Sequence, residues 1–274
     1  MTRFIIKLLI VLPMLLADIL WASDKGSTFH TSTKALIPKN YDRVWNALKG
    51  SSQAGKPFNV LHIGDSHIKY GFVTAPIATA LKHRYGQGIE VEHWGINGAT
   101  FQTYGVQEEI ERILAARPQL LIVSLGTNDS YTPRFSPEEM RANMQAFFSL
   151  LNKKMPQLPI VMTTPPPSYL AATRRASTYT GRGNAKRRVY QSSKSYTFNK
   201  HTISAARTMK YFAQAEGYTL IDLNALIGSE SIAKQWLEQG WMHQDRVHYT
   251  IDGYTKQGEL IAEILIDAVE GKVN

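Results

Sequence analysis

Short apolar runs alternate with segments of helical periodicity along most of the chain. The clearest run is Leu120-Leu-Ile-Val-Ser-Leu125, and several shorter runs of the same character occur. Apolar runs of four to eight residues bounded by turn residues are typical of buried strands. The predicted strands are residues 58–63, 89–93, 120–125, 158–163 and 218–223.

Apolar residues at helical spacing fill the intervals between these strands. One helix start is marked by Ser136-Pro137-Glu138-Glu139, a favourable N-cap sequence. The predicted helices are residues 76–85, 106–116, 137–154, 199–216 and 254–269, with a shorter one around 41–48. Because strands alternate with helices at least four times, the pattern predicts an α/β fold whose parallel sheet is covered by helices on both faces. In such sheets, ligands bind beyond the carboxyl ends of the strands.

The first 22 residues do not follow this pattern. Arg3 and Lys7 precede an apolar run at residues 8–16 that Pro13 interrupts, and the small residues Ala22 and Ser23 follow. This arrangement is typical of a secretory signal peptide and predicts an exported protein, periplasmic or at the cell surface; an uncleaved N-terminal anchor is the alternative. The run is shorter than the roughly 20 residues of a membrane span. Once the leader has been removed, no stable membrane insertion is expected. Residues 23–57 are predicted to be an N-terminal extension, and residues 58–272 a single domain.

The composition indicates a globular protein and excludes every kind of site that needs a cysteine. Hydrophobic residues make up 43% and charged residues 19% of the chain, which is typical of a globular protein. The chain contains no cysteine, which excludes disulfides, thiolate metal sites and a cysteine nucleophile.

Much of the positive charge behind the net +9 lies between Arg174 and Lys200, largely within an inserted segment at residues 168–197 between the fourth strand and its helix. This segment is rich in Ser, Thr, Tyr, Arg and Lys and poor in aliphatic residues, so we predict that it is an inserted surface loop. A basic surface favours polyanionic surroundings. No nucleic-acid-binding motif accompanies the charge, so nucleic acid is not an expected partner.

Four polar segments stand after predicted strands or before the last helix. They are Gly64-Asp65-Ser66-His67, Gly95-Ile96-Asn97-Gly98-Ala99-Thr100, Gly126-Thr127-Asn128-Asp129 and Asp245-Arg246-Val247-His248. Each alone consists of ordinary turn residues, but their joint order is informative. A serine hydroxyl becomes a nucleophile when a nearby imidazole takes its proton, and a carboxylate behind the ring fixes the tautomer.

In these four segments, which span residues 64–248, the chain resembles the SGNH (GDSL-type) hydrolases. The resemblance implies a three-layer, flavodoxin-like α/β fold with a central parallel sheet of about five strands. It implies Ser66 as nucleophile, His248 as general base and Asp245 as the carboxylate behind the ring. The oxyanion hole would consist of the backbone N–H groups of Ser66 and Gly98 and the side-chain amide of Asn128; Gly98 is preferred to Gly95 because Ala99-Thr100 follows it. No cofactor is expected.

Structural interpretations of the same segments remain open. Residues 64–67 could be a strand-to-helix cap, in which Asp65 is a local cap rather than a catalytic acid. Residues 126–129 could be a structural turn. His243, Asp245 and His248 could be metal ligands, but no further ligand set accompanies them, and no metal is predicted. The G-x-S-x-G segment of the α/β-hydrolases is absent, which disfavours that fold.

The segments Thr163-Thr-Pro-Pro-Pro167 and Asp245 to Tyr254 are similar to those of exported bacterial SGNH proteins, among them peptidoglycan O-acetylesterases. The resemblance implies removal of O-acetyl groups from a cell-wall or other polysaccharide, with peptidoglycan favoured. The expected substrate contacts are His67, Trp94, Tyr131 and Arg246, and further aromatic residues that could stack on sugars or belong to the core are Phe101, Tyr104, Trp236 and Trp241. The alternatives are a lipolytic esterase or thioesterase, an O-acetyltransferase, and a non-catalytic wall-binding module.

Overall fold

A parallel sheet of five strands forms the centre of the computed structural model, which describes residues 35–36, 42–54, 57–183 and 186–270. The strands are β1 (Ala35–Leu36), β2 (Phe58–Gly64), β3 (Ile89–Gly95), β4 (Leu120–Ser124), β5 (Ile160–Thr163), β6 (Tyr169–Thr180), β7 (Arg187–Phe198) and β8 (Thr219–Ile221). The helices are α1 (Asp42–Ala54), α2 (Thr74–Tyr85), α3 (Phe101–Tyr104), α4 (Gln107–Ala115), α5 (Thr127–Ser130), α6 (Pro137–Lys154), α7 (Lys200–Glu216), α8 (Leu223–Ile227), α9 (Glu230–Glu238) and α10 (Ile251–Val269). The predicted leader, residues 1–22, lies outside the described residues.

The predicted α/β class is confirmed. The parallel strands run in the order β8-β5-β4-β2-β3, and the two-residue strand β1 adds to β8 in the antiparallel direction. This is the flavodoxin-like order, in which the chain reverses direction across the sheet at β2. All five predicted strands are present, and none of their ends differs from the prediction by more than two residues.

Helices cover both faces of the sheet because successive strand residues point to opposite sides. In β4, Leu120 and Ile122 belong to the apolar cluster formed with α1, α2 and α10. Leu121 and Val123 belong to the second cluster, formed with α4, α6 and α7. A strand buried on both faces is apolar throughout, which is why the run at residues 120–125 gave the clearest strand prediction.

Part of the predicted N-terminal extension, residues 23–57, belongs to this architecture. The strand β1 extends the sheet, and Val44 and Leu48 of α1 are buried in the first cluster. The helix α1 ends at Ala54, later than the predicted end at residue 48.

The inserted segment at residues 168–197 is not a loop, and this part of the prediction is wrong. Its two twelve-residue strands, β6 and β7, form an antiparallel hairpin whose pairing runs from Tyr169 and Phe198 at the base to Thr180 and Arg187 near the tip. Beyond the base, nearly every residue of both strands is exposed. Neither face of the hairpin is buried, so its sequence lacks the alternation of polar and apolar residues that identifies a strand.

Two further features complete the fold. The helix α10 begins at Ile251, because the Thr250 hydroxyl accepts a hydrogen bond from the Gly253 N–H at 3.3 Å and caps it. Among the helices that the structure describes, none is long and apolar enough to cross a bilayer.

Candidate active site

The turn after β2 places Ser66 beyond the carboxyl end of a central strand. A side chain at Gly64 would collide with the Ile68 side chain and with the Ser124 carbonyl oxygen, so only glycine allows the neighbouring strand and turn to approach this closely. The buried carboxylate of Asp65 accepts a hydrogen bond from the His67 N–H at 2.9 Å. Asp65 is therefore the predicted local cap, and it fixes the turn that presents Ser66.

Ser66, His248 and Asp245 form a continuous hydrogen-bonded chain. The Ser66 Oγ lies 2.9 Å from Nε2 of His248, and Nδ1 of His248 lies 2.8 Å from Oδ2 of Asp245. The three residues come from segments 182 positions apart in sequence. With Nδ1–H donating to the carboxylate, Nε2 is the acceptor that can take a proton from the serine hydroxyl.

The Asp245 carboxylate is held by its own turn. Its Oδ1 accepts hydrogen bonds from the N–H groups of Val247 and His248, both at 2.9 Å. Arg246, between Asp245 and Val247, has a left-handed backbone with φ of 58°, which bends the chain around the carboxylate. Partial burial opposes ionisation of Asp245, but these two N–H groups and the His248 ring outweigh it and lower its pKa. Asp245 is thus an anion beside the imidazole at neutral pH.

The three predicted oxyanion donors line the same cleft as the serine. Within the described ranges, the backbone N–H groups of Ser66 and Gly98 donate to no protein acceptor. Gly98, which lines the cleft, has φ of 74°, and a side chain there would meet only open space. Asn128, in α5, donates from Nδ2 to the Ala99 carbonyl oxygen at 3.0 Å and to Oδ2 of Asp65 at 3.3 Å.

Asp65 is buried and accepts a hydrogen bond from Asn128, one of the predicted oxyanion donors. Burial raises the pKa of Asp65 to about 7, against the opposing effects of its hydrogen bond from the His67 N–H and of the nearby His248. Asp129, on the same turn as Asn128, has its pKa raised to about 6, again chiefly by burial. Its Oδ1 accepts a hydrogen bond from the Phe101 N–H at 3.2 Å, which ties the turn after β4 to the start of α3. Both carboxylates support the turns that carry the site.

His67 lies behind the His248 imidazole rather than on the cleft wall where we predicted it. Its side chain is 6% exposed, and its ring stacks on that of His248 with centroids 5.4 Å apart. Neither ring nitrogen has a hydrogen-bond partner among the described residues. His67 lines an internal cavity of about 20 Å³ together with Asp65 and Gln257, and this volume fits one water molecule. Burial lowers the pKa of His67 to about 3, so the ring is neutral and unsuited to holding a substrate anion.

A cleft of about 720 Å³ opens above the serine. Its described walls are largely aromatic and polar, and their aliphatic members are Ala171 and Val247. Tyr131, a predicted substrate contact, lines it. Trp94 does not, because its ring packs on the second apolar cluster beneath the Arg112 guanidinium. Phe101, Tyr104 and Trp236 are core residues, and Trp241 packs edge-on against Trp236.

Most of the aromatic residues of the cleft were not predicted. They are Tyr70, Phe72, Tyr196, Tyr249 and Tyr254. Four of them stand within six residues of Ser66 or His248 in sequence, and this proximity is a signal that could have identified them. Tyr196 had no such signal, because only the fold of the hairpin brings it to the cleft.

Arg246 points away from the cleft centre and towards the hairpin. Its guanidinium lies over the ring of Tyr196, 4.3 Å from the centroid, and 5.6 Å from that of Tyr169. The Tyr169 N–H donates to the Arg246 carbonyl oxygen at 2.9 Å. The turn that carries Asp245 and His248 is therefore bound to the hairpin base, through cation–π contacts and one backbone hydrogen bond.

A buried polar network under the site also escaped prediction. His62 of β2 is bonded through Nδ1 to the Thr74 hydroxyl at 2.9 Å and through Nε2 to the Ser124 hydroxyl at 2.8 Å. Ser124 in turn bonds the Thr163 hydroxyl at 2.7 Å. These bonds link β2, β4 and β5 just below their carboxyl ends. Burial lowers the pKa of His62 to about 3, so this ring is also neutral.

The metal-site interpretation finds no support in the geometry. Asp245 and His248 are bonded to each other, and His248 to the serine. In the part of the chain that the structure describes, no group of three His, Asp or Glu side chains is placed to hold a metal ion.

Comparison with known proteins agrees with the fold. The family model for GDSL-like lipases/acylhydrolases matches residues 60–261. No curated protein sequence matches the chain. A solved peptidoglycan O-acetylesterase is 14% identical, with a TM-score of 0.71 over 86% of this chain and 99% of that one. An acetyl xylan esterase is 16% identical, with a TM-score of 0.53 over 76% and 99% of the two chains. A GDSL-like lipase from Bacteroides thetaiotaomicron is 18% identical, with a TM-score of 0.50 over 84% and 98%.

Proposed function

Since the chain belongs to the family of GDSL-like lipases and acylhydrolases and is a carboxylic ester hydrolase, we propose that it is a serine esterase that removes O-acetyl groups from a cell-wall or other polysaccharide, with peptidoglycan favoured. The observation that carries the proposal is the hydrogen-bonded chain from Ser66 through His248 to Asp245 at the floor of an open cleft. The predicted leader, residues 1–22, supports a place outside the cytoplasm.

In the acylation step, the Ser66 Oγ attacks the acetyl carbonyl carbon while Nε2 of His248 takes the hydroxyl proton. The carbonyl π electrons move to oxygen, and the resulting oxyanion accepts hydrogen bonds from the N–H groups of Ser66 and Gly98. Asn128 supplies a third donor when its Nδ2–H turns from Asp65, its 3.3 Å partner, to the oxyanion. The sugar hydroxyl leaves with the proton from His248, and the acetyl group stays on Ser66.

In the deacylation step, a water molecule attacks the acetyl-serine and gives its proton to Nε2 of His248. Collapse of the second tetrahedral intermediate returns that proton to Oγ and releases acetic acid. The Asp245 carboxylate stabilises the imidazolium in both steps, and its lowered pKa keeps it ionised for this role.

The cleft walls favour a sugar over a lipid. Five tyrosines and Phe72 surround the serine, whereas the described walls contain only Ala171 and Val247 as aliphatic residues. Tyrosines offer both a flat apolar face and a hydroxyl, which suits a carbohydrate, and a fatty acyl chain would lack an aliphatic wall. Two of the structural neighbours, a peptidoglycan O-acetylesterase and an acetyl xylan esterase, act on acetylated polysaccharides, which supports the same substrate class.

The experiment compares Ser66→Ala with the wild-type enzyme on p-nitrophenyl acetate, O-acetylated peptidoglycan and acetylated xylan, and measures acetate. We expect the substitution to lower kcat by about 10⁴-fold or more with an unchanged circular dichroism spectrum. We expect the wild-type enzyme to release acetate from peptidoglycan faster than from xylan.

Three results would redirect the proposal. Retained turnover in Ser66→Ala would reject the serine mechanism. A preference for p-nitrophenyl octanoate over the acetate ester would indicate a lipolytic enzyme. Acetyl groups recovered on a second sugar polymer instead of in solution would indicate an O-acetyltransferase.

A further inference from the structure

The hairpin of β6 and β7 has two chemically different faces. Because side chains alternate across a strand, the register assigns each residue to one face. One face carries Thr173, Arg175, Ser177, Tyr179, Arg188, Tyr190, Ser192, Lys194 and Tyr196. The opposite face carries Ala172, Arg174, Ala176, Thr178, Arg187, Val189, Gln191, Ser193 and Ser195. All three tyrosines of this stretch stand on the first face, together with three of its cations.

The face with the tyrosines leads into the active-site cleft. Ala171, Lys194 and Tyr196, which are on this face, line the cleft with Ser66 and His248. Farther out on the same face, Tyr179 and Tyr190 are 65% and 67% exposed. At a strand rise of about 3.4 Å per residue, the track from Ala171 to Tyr179 is about 27 Å long, enough for several sugar units.

Charge and aromatic groups are interleaved along this track. The Arg188 guanidinium lies 5.3 Å from the Tyr190 ring centroid and donates to the Ser177 hydroxyl at 3.0 Å. At the base, Arg246 stacks on Tyr196 beside the catalytic turn. The segment from Tyr169 to Phe198 contains seven Arg and Lys residues and no Asp or Glu. Its cations therefore have no internal counter-ions and are available to an anionic ligand.

We propose that the tyrosine face of the hairpin is a binding track for the polysaccharide chain, and that this polymer carries anionic groups along its length. The proposal rests on the proposed esterase function and specifies its substrate class. Sugar rings lie on Tyr179, Tyr190 and Tyr196, and the anionic groups pair with Arg175, Arg188 and Lys194. The track then delivers the acetylated unit to Ser66. Peptidoglycan, whose peptide stems bear free carboxylates, and acetylated polyuronides both fit this description.

A polysaccharide fits the track better than a nucleic acid does. The face is continuous with a cleft whose chemistry is carboxylic ester hydrolysis, and nucleic acids contain no carboxylic ester. A nucleic acid bound to the hairpin would have no reacting group to place at Ser66.

The test uses two matched double variants. Arg175→Gln/Arg188→Gln removes two charges from the tyrosine face, and Arg174→Gln/Arg187→Gln removes two charges from adjacent positions on the opposite face. Acetate release is measured on O-acetylated peptidoglycan, on an acetylated polyuronide, and on each polymer after its carboxylates have been converted to neutral amides. Each kcat/KM is divided by the same variant's value on p-nitrophenyl acetate, which reports the catalytic residues alone.

We expect the tyrosine-face variant to lose about 5-fold in this ratio on the anionic polymer, through KM, and the opposite-face variant to keep it. Amidation of the polymer should lower the wild-type ratio by a similar factor and leave the tyrosine-face variant unaffected. The polymer whose ratio falls more, in the tyrosine-face variant and on amidation, is the source of the anionic groups.

Equal losses in the two double variants would show a general charge effect and overturn the track. No loss in either variant, or no effect of amidation, would also overturn it. Tight, face-dependent binding of a single-stranded DNA 30-mer without effect on acetate release would assign the hairpin to nucleic acid instead. If p-nitrophenyl acetate itself is not hydrolysed by the wild-type enzyme, the proposed esterase function fails, and this result is distinct from failure of the track.

Discussion

The central sheet and the hairpin are both β structure, but they obey opposite rules of burial. Every residue from Leu120 to Val123 in β4 is buried, whereas the strand residues of the hairpin beyond its base are almost all exposed. In the sheet, burial requires apolar side chains, and the removal of these side chains from water stabilises the fold. In the hairpin, backbone pairing sets the shape and leaves the side chains free for other contacts. The two regions meet at the cleft, where the sheet fixes the catalytic groups and the hairpin forms one wall.

This difference predicts where the free energy of unfolding resides. Phe148, on α6, is 1% exposed and contacts the rings of Phe101, Phe147, Phe212 and Tyr218. We expect Phe148→Ala to lower the free energy of unfolding by about 3–5 kcal/mol, because it leaves a cavity against the sheet. Urea unfolding followed by circular dichroism measures the change.

The matched change on the hairpin is Tyr190→Ala. This ring is 67% exposed, so we expect a change within about 0.5 kcal/mol. A loss in Tyr190→Ala comparable to that in Phe148→Ala would contradict the contrast between the two regions.

The same contrast explains what the sequence could predict. A strand buried on both faces leaves an uninterrupted apolar run, as in β4, and all five parallel strands were predicted. The hairpin leaves no such pattern, because neither of its faces is buried. Its composition of Ser, Thr, Arg and Lys is that of a loop, and only the pairing of its two consecutive strands makes it β structure. The helix α9 (Glu230–Glu238) was also missed, in a stretch where we made no prediction.

In the candidate site, too, some residues were predicted correctly from the sequence and others were not. Ser66, His248, Asp245, Gly98 and Asn128 were predicted from their segments, and the fold brings all five to one cleft. The prediction of their roles awaits the experiments above. His67 and Trp94 were placed wrongly, because adjacency in sequence to a site residue does not fix the direction of a side chain. In a strand or tight turn, the next residue points into the interior as readily as into the cleft.

Two buried histidines, His62 in β2 and His67 in the turn after it, predict a pH dependence of stability. Burial holds His67 neutral in the folded protein by lowering its pKa to about 3, whereas the unfolded chain takes up a proton below about pH 6.5. Unfolding therefore binds a proton between these values, and stability falls as the pH falls. In His67→Phe, we expect this slope to be smaller by about 1.4 kcal/mol per pH unit between pH 4 and 6.

Other groups titrate in the same range, so the wild-type and variant curves are compared as a difference. Asp65 acts with the opposite sign: its pKa is raised to about 7, and it lowers stability as the pH rises from about 4 to 7. This contribution cancels in the difference, because the bond to Asp65 comes from the backbone N–H of residue 67. The control Ile68→Val, a core change without a titratable group, should displace the whole curve at constant slope. Parallel curves for wild-type and His67→Phe would show that the ring is not held neutral.

A small effect on stability is also expected from removal of the hairpin beyond its base. Ala171 and Tyr196 are paired, so residues 172–195 can be replaced by Asn-Gly, a sequence that favours a two-residue hairpin turn. We expect the free energy of unfolding to stay within about 1 kcal/mol of the wild-type value, because the removed residues are exposed on both faces. Tyr169 and Phe198, which pack in the core, are retained.

Phe198→Ala in the full-length chain is the contrasting change. It should cost about 3–5 kcal/mol, since this ring is buried against Tyr169 at the hairpin base. The shortened chain should also lose the preference for anionic polymer that the tyrosine face confers. If excision costs several kcal/mol, the hairpin contributes to the folded core and its composition cannot be attributed to binding. If excision leaves both stability and polymer preference unchanged, the hairpin is dispensable for both, and the substrate track must lie elsewhere on the cleft.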